Sequence, residues 1–367
     1  MSEIKSDVYR KLQKHLDTFA VGFPATKSRV ELRILKYLFT PEEASIATHL
    51  NFSFEDIESI YERIKDSGIS LKKLKNYLKI MAKKGCIHSK MDGEKRTYAN
   101  AVLVIGMYEY QVKNLSKEFV KDFFKYSIEA FNKELFKSKI TQLRTIPVEK
   151  SITHDLDVAN YENIREIVKK FDGPIAVVKC ICREAKEVLG KSCKQTSLRE
   201  TCFPFGWHAQ FFIDNGWGRS VSKEEALEIF NKAEEDGLIV QVSNTIQPHV
   251  ICCCCNCCCG SISTLKRHPK PVSFFSSNYH ANIDPELCIG CGICVDRCKM
   301  TAIELINEKS QINLNRCIGC GNCVVICPEN AIQLKKKENR DVPVETMDDL
   351  YIKIGKKIQK LEEKHKY

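Results

Sequence analysis

Apolar positions in the first hundred residues recur with helical spacing. VELRILKYLF reads as one helix, and Thr40, Pro41 and Glu43 open the next with a cap, a first-turn proline and a capping-box acid. In SFEDIESIYERIKDSG, Ile57, Ile60, Tyr61 and Ile64 share one face. ISLKKLKNYLKIMAKKG turns Leu71, Leu74, Leu78 and Met81 inward and Lys72, Lys73, Lys75, Lys79 and Lys83 outward, and Gly85 ends it. The pattern then changes: IHSKM and EKRTY flank Asp92-Gly93, a favoured two-residue hairpin turn. Residues 116–136 are again an amphipathic helix. Further on, IAVV predicts a short buried strand ahead of Cys180. Ser222 and Glu225 form a capping-box signature, Gly237 a helix stop and LIVQV a strand. Leu350, Ile354, Ile358 and Leu361 mark a last helix after a charged linker that begins at Lys335.

These elements predict an α+β multidomain chain. The expected units are an N-terminal domain (1–112), a helical connector (113–172), a cysteine-rich α/β domain (173–279), a two-cluster domain (280–334), and a charged linker with a helix (335–367). Apolar content of 43% and charged content of 28% are those of an ordinary soluble protein. The charged N-terminus lacks the apolar core of a secretory signal, and AVLVIGMY is far too short to span a bilayer. A cytoplasmic location and no membrane partner are therefore expected.

Twenty cysteines in such a chain argue against a disulfide framework and for metal or redox chemistry. Only Cys86 precedes Cys180; the other thiols lie between Cys180 and Cys327. Four-thiolate [4Fe–4S] clusters carry about −2 when oxidised, so loading them offsets much of the formal charge of +10, which by itself says little about nucleic acid.

CIGCGICVDRCK spaces Cys288, Cys291, Cys294 and Cys298 as C-x2-C-x2-C-x3-C, and CIGCGNCVVICP repeats this with Cys317, Cys320, Cys323 and Cys327, followed by Pro328. Over about residues 280–334 this resembles the bacterial two-cluster ferredoxins. The resemblance implies two [4Fe–4S] clusters with crossed ligands: Cys288, Cys291, Cys294 and Cys327 on one, and Cys317, Cys320, Cys323 and Cys298 on the other. Lys299 stands where that family usually has proline.

Upstream, Cys180, Cys182, Cys193 and Cys202 are enough for one metal site, as a cluster or as zinc, with Cys180 and Cys182 expected on one face of a strand end. ICCCCNCCCG then places Cys252, Cys253, Cys254, Cys255, Cys257, Cys258 and Cys259 in ten residues. Adjacent cysteines make poor disulfide partners. In a strand they alternate faces; in a turning loop three or four converge. The eleven thiols allow two further cubanes, or one cubane and a larger or open cluster, so at least one further iron–sulfur cluster is expected within 180–259.

As a whole, residues 174–334 resemble iron–sulfur proteins of anaerobes in which a K-C-x-C-R segment, a cysteine-dense loop and a two-cluster ferredoxin follow in this order. That resemblance implies cytoplasmic electron transfer under anoxic conditions. The N-terminal order of helices, a lysine-rich helix and a basic hairpin resembles a winged helix-turn-helix, which implies DNA binding or protein docking. The lysine-rich helix carries no arginine and few base-reading side chains, so docking is preferred.

The first functional expectation is an electron carrier relaying between the ferredoxin pair and the middle thiols, with a redox protein as partner. The alternative is a redox-responsive DNA-binding regulator; a catalytic iron–sulfur oxidoreductase ranks third, because no G-x-G-x-x-G loop or acid–base set is evident. His208 is expected to be a packed residue, no catalytic residue is assigned, and a homodimer is allowed.

Overall fold

The computed structural model describes residues 2–153, 156 and 158–364, without the side chains of residues 2–6. Residues 154, 155 and 157 of the expected connector, 365–367 of the expected last segment and residue 1 lie outside the described residues.

Helices α1 (Ser2–Leu16), α2 (Val30–Leu38), α3 (Pro41–Ala47), α4 (Ile57–Ile64) and α5 (Leu71–Lys83) precede a hairpin, β1 (Ile87–Asp92) and β2 (Lys95–Asn100). The capping box forms as the sequence requires: the Glu43 N–H donates to Thr40 Oγ1 at 3.2 Å, and the Thr40 N–H donates to the Glu43 carboxylate at 2.8 Å. On α5, Leu74, Leu78 and Met81 are buried and the five lysines are exposed. Leu71 departs from its expected inward position and is exposed, at the first position of α5 next to its capping residue Ser70. Backbone hydrogen bonds between Glu55 and Tyr98, at 3.0 and 2.9 Å, add a one-residue bridge to the outside of the hairpin.

The segment 113–172 begins as expected, with α6 (Lys117–Tyr126) capped by Ser116 and continuing through a wider turn into α7 (Asn132–Phe136). It is not helical throughout, since β3 (Leu143–Thr145) pairs with the cysteine-rich domain's sheet. After α8 (Ile164–Lys170) come β4 (Ala176–Lys179), α9 (Ile181–Val188), β5 (Glu200–Pro204), α10 (Gly206–Asp214), β6 (Arg219–Ser220), α11 (Lys223–Glu235), β7 (Ile239–Ser243) and β8 (Val250–Cys254). The strands form one antiparallel sheet in the order β3-β7-β8-β5-β4-β6. The cysteine-bearing β8 is thus an inner strand, hydrogen-bonded on both edges.

Past α12 (Gly260–Leu265), β9 (Tyr279–Ile283) encloses α13 (Ile293–Arg297), β10 (Ile303–Ile306), β11 (Lys309–Ile312) and α14 (Asn322–Val325) by pairing with β12 (Ile332–Lys336). This unit docks on the sheet domain through named polar contacts. Arg297 donates to the Glu234 and Glu235 carbonyls at the end of α11, at 2.8 and 3.0 Å, a favourable place for a cation at a helix C-terminus. Asn322 donates to the Gly237 and Leu238 carbonyls, and the Val148 N–H to the Cys320 carbonyl. Helix α15 (Met347–Lys364) folds back, burying Leu350, Tyr351 and Ile354 in the core that holds α1 and α2. No helix among the described residues is long and apolar enough to cross a membrane.

The core of the N-terminal helices extends into the cysteine-rich domain, since Val178, Ile181, Phe211, Phe212 and Trp217 pack with residues of α1–α5. Tyr110 joins the two halves. It is fully buried, and its hydroxyl lies 2.7 Å from His88 Nδ1 and 2.9 Å from His208 Nε2. His208 is a packed residue, stacked on His249 with ring centroids 4.3 Å apart. Burial holds both His88 and His208 neutral, His88 with a pKa of about 3. Tyr110→Phe keeps the packing and strands two imidazole nitrogens in the core. Anaerobic denaturant unfolding of the loaded protein should lose about 1–3 kcal/mol; an unchanged midpoint would mean that the hydroxyl does not join the halves.

Candidate metal centres

In the two-cluster unit, glycines bring backbone next to the thiols. Gly290 and Gly319 hold φ of +72° and +64°, and a Cβ on either would lie 2.0 Å from the Glu308 carbonyl oxygen or 2.3 Å from the Tyr279 carbonyl oxygen. Any other residue would push the cysteine loops outward. Cys288, Cys291, Cys294 and Cys327 line one small cavity, and Cys298, Cys317, Cys320 and Cys323 line a second. Backbone N–H groups face the sulfurs: Ser310 to Cys288 at 3.5 Å, Ala281 to Cys317 at 3.3 Å and Ala302 to Cys298 at 3.2 Å. Those donors suit thiolate ligands and stabilise their charge. Cys291 is exposed, whereas burial drives the Cys320 thiol up to about 12.

The eleven middle thiols separate into two sets and one leftover. Cys252 and Cys254 point from the same face of β8, as strand periodicity requires. Cys202 on β5 lies in register with Cys252, their sulfurs 3.9 Å apart. Cys254 neighbours Cys259, Cys259 neighbours Cys182, and Cys182 neighbours Cys180. Six thiols (Cys180, Cys182, Cys202, Cys252, Cys254 and Cys259) therefore form a continuous string. Cys180 and Cys182 do not sit on one face of a strand end, because β4 stops at Lys179; Cys180 caps α9 and Cys182 lies in its first turn. Contact with a neighbouring thiol, together with burial, pushes Cys180, Cys252 and Cys254 well above the usual thiol range. A bound metal removes that obstacle, since coordination deprotonates a thiol.

Cys193, Cys255, Cys257 and Cys258 form the second set, with all four sulfurs within 4.8 Å of one another. Cys253, on the opposite face of β8 from Cys252, packs in the core of the sheet domain, and burial lifts it to about 12. Cys86 is likewise buried and donates to the Leu38 carbonyl at 2.9 Å.

Two further residues shape these sites. Arg183, the arginine of the K-C-x-C-R segment, is fully buried and donates to Thr201 Oγ1 and, at 3.0 Å, to the Cys253 carbonyl. Lys299, the departure from the ferredoxin pattern, lies in the field of both Cys298 and Cys257, and its carbonyl accepts from Asn256 at 3.3 Å. A cavity of about 830 Å³ between the N-terminal hairpin and the sheet domain is lined by Lys90, Glu166, Trp207 and His249 among others, but by no cysteine.

Two family models, each described as a 4Fe-4S dicluster domain, match residues 280–328 and 316–358, together under a quarter of the chain. Comparison with curated proteins and with solved structures gives no match. The matches and the thiol geometry give the chain two 4Fe–4S clusters, a further metal site in the middle region and iron–sulfur electron-transfer capacity. If the crossed sharing follows the two cavities, Cys291→Ala and Cys327→Ala should abolish the same EPR-active cluster and leave the other. Loss of different clusters in the two variants would refute that sharing.

Proposed function

We propose that the protein is a cytoplasmic iron–sulfur electron carrier of an anaerobe, passing electrons between its ferredoxin pair and a cluster held by the six-thiol string. The observation that carries this reading is the docking of the inner ferredoxin loop on the sheet that bears the string: Val148 and Asn322 bind the backbone on either side of the contact, next to Cys320. Bound clusters would supply reversible one-electron chemistry. The residues of this chain hold the ligands, exclude water and offer N–H groups to sulfur. Around exposed Cys291, Leu287, Ile289 and Ile293 are also exposed, an apolar rim suited to a redox partner protein. Anaerobically purified protein should contain clearly more iron and labile sulfide than two cubanes require. Cys254→Ser should lose the surplus and retain both ferredoxin signals. A wild type with only the iron of two cubanes would refute the relay, whatever the variant does.

A second reading is favoured by the α5 lysine face and by the Glu55–Tyr98 bridge, which gives the hairpin the short extra strand of a winged helix. In this reading cluster state alters how the N-terminal domain holds DNA. Lys95 and Arg96 are exposed, as are the α5 lysines, whereas Lys90 lies 4.4 Å over the Phe54 ring and is engaged. Duplex DNA retention should then weaken steeply between low and physiological salt and differ between oxidised and reduced protein. Salt-insensitive or absent retention would leave the domain a docking module.

A further inference from the structure

We propose that Cys193, Cys255, Cys257 and Cys258 hold a single zinc ion in a closed four-thiolate site, distinct from every iron–sulfur centre of the chain. Cys193 Sγ lies 3.7 Å from Cys255 Sγ and 3.6 Å from Cys257 Sγ, and Cys257 Sγ lies 3.7 Å from Cys258 Sγ. A tetrahedral ion with Zn–S bonds of ~2.3 Å sets sulfur–sulfur edges of about 3.8 Å. A cubane spreads its four thiolates over four irons and holds them further apart. The chain contains its own comparison. Among the described residues, no three thiols of either ferredoxin set, and no three of the six-thiol string, close to within 4.8 Å. The spacing in this quartet is that of one ion.

The surroundings fit a four-thiolate ion of net charge −2. Backbone N–H groups of Gln195 and Thr196 face the Cys193 sulfur, and that of Lys194 faces Cys257. The Arg183 side chain reaches Cys193 and lies in the field of Cys255, while Lys299 lies in that of Cys257. With Cys255 and Cys258 buried and all four positions filled by protein, the site is closed in the manner of structural zinc. Zinc also outcompetes ferrous iron for such a donor set in the intrinsic affinity order of divalent metals. Its place in the fold gives it a task. Cys193 follows α9, 62 residues before Cys255 at the end of β8, so the ion ties those two loops together. The tie fixes the turn that brings Cys259 round to Cys254 and Cys182.

Full-length protein purified anaerobically from medium containing both metals should carry one zinc per chain in addition to its iron and sulfide. Cys257→Ser and Cys258→Ser should lose the zinc and keep wild-type labile sulfide. Loss of four irons and four sulfides in these variants, or a sulfide-free iron in place of the zinc, would overturn the assignment. If the variants do not fold, cobalt-grown wild-type protein provides the second measurement: one cobalt per chain with tetrahedral thiolate–cobalt bands is expected. Absence of those bands, in a protein that also lacks zinc, would equally overturn it.

Discussion

A β-strand sends successive side chains to opposite faces, and β8 applies that rule to consecutive cysteines. Cys252 and Cys254 face the string with Cys180, Cys182, Cys202 and Cys259, while Cys253 faces the apolar core and Cys255 begins the turn into the quartet. A slip of one residue would exchange the two faces and dismantle both sets. The register is secured from both sides, by β5 pairing Cys202 with Cys252 and by β7 pairing Val240 with Cys253. The inner position of β8 is therefore a requirement of the metal chemistry as much as of the sheet. An edge strand, with one ladder only, would hold these positions less firmly.

Charge is the second constraint. Neutral thiols packed together in dry surroundings resist ionisation, and metal ions supply the positive charge that makes thiolates tolerable there. Buried and half-buried cations stand beside the thiols, where they oppose the negative charge that loaded sites would carry. Arg183 lies among the middle thiols, Lys299 lies between Cys298 and Cys257, and Lys337 feels Cys317. The basic excess of the apo-sequence thus has an internal use. Arg183 in particular would be a costly buried charge without thiolates beside it, since its hydrogen-bond partners, Thr201 and the Cys253 carbonyl, are neutral.

How much of this was legible in the sequence follows from whether the information is local. The ferredoxin cysteines were legible because their ligation is written in spacings of two and three residues, and the capping box at Thr40 and the Asp92-Gly93 turn are local in the same way. The division of the middle thiols was not. It depends on which strand lies beside β8, and Cys193 meets Cys255 only because the sheet order brings together segments 62 residues apart. β3 was hidden for a similar reason: three residues, Leu143–Thr145, show no periodicity by themselves and become a strand only against β7. The role of Tyr110 rests on His88 and His208, which lie on opposite sides of it in the chain and carry no motif. Leu71 followed the helical pattern and is still exposed, because periodicity gives the face of a helix but not where the core beneath it ends.

The duplicated ferredoxin motif does not produce duplicated surroundings, and this bears on the proposed relay. The set containing Cys291 opens to solvent beside an apolar rim. The set containing Cys320 is pressed against the sheet domain, its loop fixed by Gly321 packing on Ser151 and Asn322 reaching Gly237 and Leu238. Cluster potentials respond to solvent exposure and to hydrogen bonds on sulfur. An added electron is easier to accommodate where water reaches the ligands, so on exposure, under the proposed ligand assignment, the outer centre is the easier of the two to reduce, while the N–H donors to Cys298 and Cys317 offset part of that difference at the inner centre. A partner docking on the rim would meet that centre first. In the proposed relay the inner centre, more expensive to charge, would stand between the partner and the string, and electrons would run downhill from it to the outer centre, a direction that the repeated motif alone does not contain.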